Sequence, residues 1–179
     1  MIDVKANYRA QAKELVGELG AASIHQLPRI TKVTVNAGVG KLRDNKEQLA
    51  YVEAALAAIT GAKPALRRAR AAIAGFKLRQ GEIVGLVVTL RGRRMDDFLN
   101  RLVNITLPRI REFRGINQKS FDKEGNLTLG FRDAQPFAEL AGGALDKPFS
   151  VGVTVTIVRS DPDKSTKLLS KIGFPVKIS

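Results

Sequence analysis

Apolar residues recur at helical spacing in four stretches of the chain and at alternate positions in five others. The first helical stretch runs over residues 3–19, with Tyr8, Ala12, Leu15, Val16 and Leu19 on one stripe and Gly20 ending it. The second runs from Asn45 to Thr60, with Leu49, Val52, Leu56 and Ile59 in line and Gly61 as its stop. The third runs from Arg94 to about Thr106, turns Met95, Phe98, Leu99 and Leu102 inward, and meets its limit at Pro108. The fourth starts at Ser160 or Asp161 as cap, has Pro162 in its first turn, and buries Leu168, Leu169 and Ile172 before Gly173. Alternating runs at Ile30–Asn36, Ile73–Arg79, Ile83–Arg91, Asn126–Arg132 and Ser150–Val158 predict strands, the second and third as a hairpin around QGE at 80–82. Residues 109–125 and 134–149 read as long loops. No internal repeat or low-complexity segment is visible. The pattern predicts one α+β domain over residues 1–179. It is a two-layer sandwich, a mainly antiparallel five-stranded sheet with helices on one face and long basic loops.

Side chains alternate across a strand, so each run sorts into two faces. Val33, Val35 and Ala37 oppose Lys32, Thr34 and Asn36; Phe76 and Leu78 oppose Lys77 and Arg79. Val84, Leu86, Val88 and Leu90 oppose Thr89 and Arg91; Leu127, Leu129 and Phe131 oppose Thr128, Gly130 and Arg132. Val151, Val153, Val155 and Ile157 oppose Gly152, Thr154 and Thr156. One face is therefore apolar and should pack on the helices. The other collects Lys, Arg, Thr, Asn and Gly with almost no acid, whereas an ordinary solvent face mixes both signs. Short hydroxyl and amide groups beside cations suit phosphate and ribose contacts. A broad sheet face also suits a folded RNA, which is read largely by shape, 2′-hydroxyls and phosphates. A plain solvated face remains the alternative.

Charge sharpens this. Thirty Lys and Arg oppose seventeen Asp and Glu, a formal net charge of +13 on 179 residues. Such an excess repels itself in a compact domain and is relieved by a polyanion. There is no Cys and a single His, His25, which excludes disulfides and thiolate metal sites and argues against zinc. The sequence implies no cofactor. Charged residues from Asp3 to Glu14 interrupt any signal-peptide pattern, and the longest apolar run, IVGLVV at 83–88, is too short to cross a bilayer. The expectation is a cytoplasmic protein with no membrane partner.

The stretch TVNAGVGKL at 34–42 has the look of a phosphate loop, but a P-loop needs glycine where Val35 stands and a hydroxyl where Leu42 stands. A dinucleotide fingerprint lacks its third glycine. Two readings remain: the glycines make a tight strand exit, or they permit close backbone approach to RNA with Asn36 as a contact. From Lys63 to Arg79 the chain carries Lys63, Arg67, Arg68, Arg70, Lys77 and Arg79 and no acid, a field that steers towards phosphate. RGRR at 91–94 and PRIREFRG at 108–115 extend it, and arginine suits forked phosphate binding and stacking. No catalytic grouping emerges. Asp96–Asp97 and the Asp161/Asp163 pair sit at helix starts, where the helix dipole accounts for them. Beside a structural RNA-binding protein, the residues alone leave open a nucleotide-dependent enzyme using GVGK and a free nucleic-acid chaperone.

Longer motifs narrow the choice. VNAGVG at 35–40, ITGAKP at 59–64, IAGFKLRQG at 73–81, VTLRGRRMDDFLNRLVNITLPRIREFRG at 88–115, KSFDKEGNLTLG at 119–130 and GFP at 173–175 resemble the bacterial large-subunit ribosomal protein number five, the 5S rRNA-binding family. The resemblance covers nearly the whole chain in order. It implies a non-enzymatic constituent of the large ribosomal subunit that docks 5S rRNA in the central protuberance, beside 23S rRNA, and is not a homo-oligomer. It also implies contacts with a small-subunit ribosomal protein at the intersubunit bridge and with the P-site tRNA. Carried over by motif, Asn36, Thr89 and Arg91 fall in 5S-binding blocks. With the polar positions Lys32, Thr34, Lys63, Arg132 and Thr154 they make up the expected rRNA-binding set. Arg67, Arg68, Arg70, Lys77 and Arg79 match the tRNA-facing segment, and Arg111 and Arg114 the region towards the small subunit. Ala62 stands where the family usually has Gln, and Ala71 and Ala72 where basic residues are common. Between Arg132 and Val151 the family pattern is poorly kept, and no contact is assigned there.

Overall fold

A computed structural model describes residues 2–19, 23–40, 42, 45–76, 78–141 and 148–177, with Phe76 described in its backbone only. The four helices are α1 (Val4–Glu18), α2 (Lys46–Thr60), α3 (Gly92–Arg101) and α4 (Pro162–Lys171). The five strands are β1 (Arg29–Gly38), β2 (Ala65–Arg68), β3 (Ile83–Leu90), β4 (Leu127–Phe131) and β5 (Val151–Val158). They form an open antiparallel sheet in the order β2-β3-β1-β5-β4, an α+β sandwich as the residue pattern predicts. No helix among the described residues is long and apolar enough to cross a membrane.

Local chemistry sets the helix ends. The Asp3 carboxylate accepts from the backbone N–H of Lys5 and Ala6 and opens α1. Asn45 does the same for Gln48 at α2, and Asp161 for Lys164 at α4, where Pro162 needs no N–H. Gly61 closes α2 with φ of 66°, its N–H donating to Ala57 O at 2.8 Å. The third helix is longer than its regular part: a π-helical turn at Leu102–Thr106 and a 3₁₀ turn at Leu107–Arg109 continue it past the proline.

The chain forms two compact units. The first comprises Met1–Val33, Leu90–Leu129 and Thr154–Ser179; the second comprises Thr34–Thr89 and Gly130–Val153. In the first unit Val33, Phe98, Leu99, Leu102, Leu127, Val155, Leu168 and Leu169 are buried. Burying the apolar side of each strand and the stripe of each helix supplies the main driving force, about 25 cal/mol per Å² removed from water. In the second unit Val35, Val52, Leu56, Ile59, Leu86, Val88 and Phe137 are buried, and Phe131 lies 5.1 Å centroid-to-centroid from Phe137.

The structure departs from the sequence pattern at four further places. The second strand is Ala65–Arg68, not Ile73–Arg79; Ile73 and Leu78 form one isolated antiparallel bridge around a 3₁₀ turn at Ala74–Phe76. All four residues of β2 are exposed, so it carries no alternation to read. Its place comes from pairing with β3, Ala65 opposite Val87 and Arg67 opposite Gly85. Asp96 and Asp97 lie beyond the first turn of α3 and act as ion-pair partners, Asp96 with Lys5 at 3.1 Å and Asp97 with Arg93 at 4.0 Å. Within 109–125, Ile116 is buried and bridges Val176 in parallel. Within 134–149, Ala134, Phe137, Leu140 and Phe149 are core residues; residues 142–147 lie outside the described set.

Candidate nucleic-acid interface

None of the five strands contains Asp or Glu. Along β1 the burial alternates: Val33, Val35 and Ala37 are buried, Lys32 and Thr34 half-buried, Asn36 exposed. In β3 and just after it, Leu86, Val88 and Leu90 are buried while Thr89 and Arg91 are exposed. Arg132, at the end of β4, is exposed, and Thr154 of β5 is half-buried with its hydroxyl 3.3 Å from that of Thr128. Lys63 is exposed between α2 and β2. Of the expected rRNA-binding residues, Lys32, Thr34, Asn36, Thr89 and Thr154 thus stand at polar positions of strands, while Lys63, Arg91 and Arg132 are exposed outside them.

The cations of this set differ from those on the helices. Lys171 bridges Glu14 and Glu18 at 2.7 and 2.9 Å, and Lys164 pairs with Asp161 at 3.1 Å. Among the described residues, Lys32, Lys63, Arg91 and Arg132 have no acidic side chain within 4 Å. Arg91 is the sharpest case. It occupies the N-cap of α3, a position that wants a side-chain acceptor, and guanidinium offers only donors. No acid stands in the first turn, and Arg93 and Arg94 are exposed there. A helix start left uncapped and surrounded by cations is costly in isolation and favourable against a phosphate.

Of two strand glycines, Gly152 on the sorted polar face and the unsorted Gly85, one shapes the surface. A Cβ on Gly152 would lie 2.5 Å from Asn36 Oδ1 and 3.2 Å from its Cγ, so the bare backbone of β5 seats the Asn36 amide. A Cβ added at Gly85 in β3 would meet Ala37 O at 3.4 Å and the Arg67 Cβ at 3.9 Å, which is ordinary contact. Glycine inside a strand is the signal for close approach, and of these two only Gly152 shows it. By contrast Gly38 and Gly40 of the GVG stretch have no atom within 4 Å of an added Cβ and no positive φ. The fold itself does not require glycine at either.

The basic segment after Lys63 divides. Arg67 and Arg68 lie on β2, and Arg68 Nη1 donates to Gly81 O at 3.0 Å. Arg70 and Arg79 are exposed in the connection between β2 and β3, where Ala69 exchanges backbone hydrogen bonds with Glu82 and Gly81. Lys77 lies outside the described residues. Arg111 and Arg114 are exposed on either side of Glu112, which has a φ of 55°.

Comparison with known proteins identifies what this scaffold is. The family model for the C-terminus of ribosomal protein L5 matches residues 83–176, and that for ribosomal protein L5 itself matches residues 23–79. The chain belongs to the ribosomal protein L5 family. Large ribosomal subunit protein uL5 of a Synechococcus species is 42% identical over 177 residues, covering 98% of this chain and 99% of that protein. The uL5 proteins of Prochlorococcus marinus and Dehalococcoides mccartyi are 43% and 41% identical over 178 and 175 residues, again 98% of this chain. The L5 family is structural and non-enzymatic, so the glycines after β1 belong to no nucleotide-hydrolysing loop.

Proposed function

We propose that the chain is an rRNA-binding constituent of the large ribosomal subunit in the bacterial cytoplasm and that it attaches 5S rRNA in the central protuberance. In the second unit Thr34, Asn36, Lys63, Thr89 and Arg132 meet the RNA; in the first, Lys32, Arg91 and Thr154 do so. Arg67, Arg68, Arg70, Lys77 and Arg79 reach the P-site tRNA. Arg111 and Arg114 approach a small-subunit protein, and 23S rRNA is a further partner. The observation that carries this reading is the absence of any acid from the strands together with cations that, among the described residues, have no acidic side chain within 4 Å. The steric freedom around Gly38 and Gly40 agrees with it, since an RNA backbone approaching from outside would supply the missing reason for glycine.

Gel-shift titration of 5S rRNA against salt tests the proposal. About five phosphate contacts give a log–log slope of roughly −3.5 to −4.5. Asn36→Ala and Arg91→Ala each weaken 5S binding by about 1–3 kcal/mol while melting barely changes. Equal affinity for 5S rRNA and an unrelated structured RNA refutes the assignment.

A further inference from the structure

A second surface, wholly within the first unit, has a different chemistry. Between α1, α3 and the start of β1 lies a cleft of about 570 Å³. Its floor is apolar: Val4, Met95, Leu99 and Ile172 are buried, and Tyr8 and Ile30 half-buried. Arg9 and Arg29 line it and are exposed, and Arg159 acts on the Tyr8 phenol from nearby. Lys5 also lines the cleft, but Asp96 already pairs with it at 3.1 Å and cancels its charge. The rim is therefore net cationic. The uncapped start of α3 borders the cleft at Gly92.

Two details concern the groups around the cleft. The Tyr8 hydroxyl makes no hydrogen bond among the described residues, although burial is the main influence on it and raises its pKa, against the opposing effect of Arg29 and Arg159. That oxygen is not sealed from water, so an incoming group can reach it. Arg159 holds a φ of 60°, a conformation that costs a non-glycine residue and persists where its surroundings impose it. Its guanidinium donates to the His25 carbonyl.

We propose that this cleft receives one unstacked nucleotide of an RNA. Its base lies against Tyr8 and the apolar floor, and its flanking phosphates lie on Arg9, Arg29 and Arg159. The volume suits a small planar ligand, since clefts of about 300–1,000 Å³ hold such molecules. An aromatic ring beside guanidinium groups is the combination on which splayed bases stack. A base edge would also offer the Tyr8 hydroxyl a partner. The inference rests on the RNA-binding reading but concerns residues distinct from the 5S-binding set.

Tyrosine fluorescence tests it, because Tyr8 and Tyr51 are the only tyrosines and there is no Trp. In the full chain carrying Tyr51→Phe, Tyr8 is the sole reporter. The probes are an RNA hairpin with a single-nucleotide bulge and the same hairpin fully paired, with signals corrected for RNA absorbance. The bulged hairpin should quench Tyr8 and bind about tenfold more tightly than the paired one. The Arg9→Ala, Arg29→Ala double variant should lose that preference while retaining its melting temperature and its affinity for 5S rRNA. Equal binding of the two hairpins, or unchanged fluorescence on binding, overturns the proposal. So does quenching by an acidic phenylalanine-containing peptide but by neither RNA, which would make the cleft a protein-docking site. Failure of 5S binding in the unsubstituted chain would instead strike the functional reading above, so the two failures are distinguishable.

Discussion

Gly152→Ala tests whether the polar face works as a built surface or as scattered cations. The new methyl carbon would stand 2.5 Å from Asn36 Oδ1 and 3.2 Å from Asn36 Cγ and Nδ2. Contacts that short force movement, and what moves is the exposed tip of a side chain rather than backbone. Gly152 has no positive φ, so alanine fits its backbone, and in a strand interior alanine is favoured over glycine by about 0.5–1 kcal/mol. The fold should therefore hold or gain slightly. The Asn36 amide, displaced from its seat, loses its RNA contact, worth about 1–3 kcal/mol or roughly 5- to 150-fold in affinity. A gel-shift cycle of wild type, Gly152→Ala, Asn36→Ala and the double variant assigns the cause. If Gly152→Ala acts through Asn36, the double variant binds no worse than Asn36→Ala alone. Additive losses would mean that the methyl group meets the RNA directly. Full 5S affinity in Gly152→Ala, beside a loss in Asn36→Ala, would refute the seating argument.

Two further outcomes concern stability. Gly125 has a φ of 78°, and a Cβ there would lie 2.6 Å from Ser165 Oγ and 2.7 Å from the Asp161 carbonyl oxygen. Gly125→Ala should lower urea stability by about 3 kcal/mol or more, because strain and a backbone clash combine. Gly130→Ala, with nothing within 4 Å of its added Cβ, should stay within about 1 kcal/mol of wild type, and equal effects would discredit the steric account. Asp161 is held below its ordinary value of 3.8 first by the Lys164 backbone N–H and then by the Lys164 side chain. A carboxylate depressed on folding contributes stability that is whole above its unfolded pKa and is lost as pH falls through the folded one. The stability gap between wild type and Asp161→Asn should accordingly narrow below pH 3.8, and a gap that stays constant down to about pH 2 would contradict this.

The helices were legible because their signals are local. Asn45 and Gly61 bound α2, and Asp161 and Pro162 open α4, through bonds that reach no further than four residues. The two faces of β1 and β5 were legible because one side of each must leave water, which writes a period of two into Val33, Val35 and Ala37 and into Val151, Val153 and Val155. Strand β2 was not, since an exposed edge strand is held by the backbone of β3 and leaves no trace in its side chains. Asp96 was misjudged for a related reason. Its partner Lys5 lies 91 positions away, and helix-start arguments see only neighbours.

By itself, then, the residue order determined the four helices, four of the five strands and the family motifs, because propensity, alternation and charge are properties of neighbouring positions. The tertiary structure alone decided that Gly152 seats Asn36, that Arg91 takes a cap it cannot fill, and that Tyr8, Arg9 and Arg29 share a cleft. These are meetings of residues distant along the chain or backbone angles imposed by packing, and no local preference encodes them.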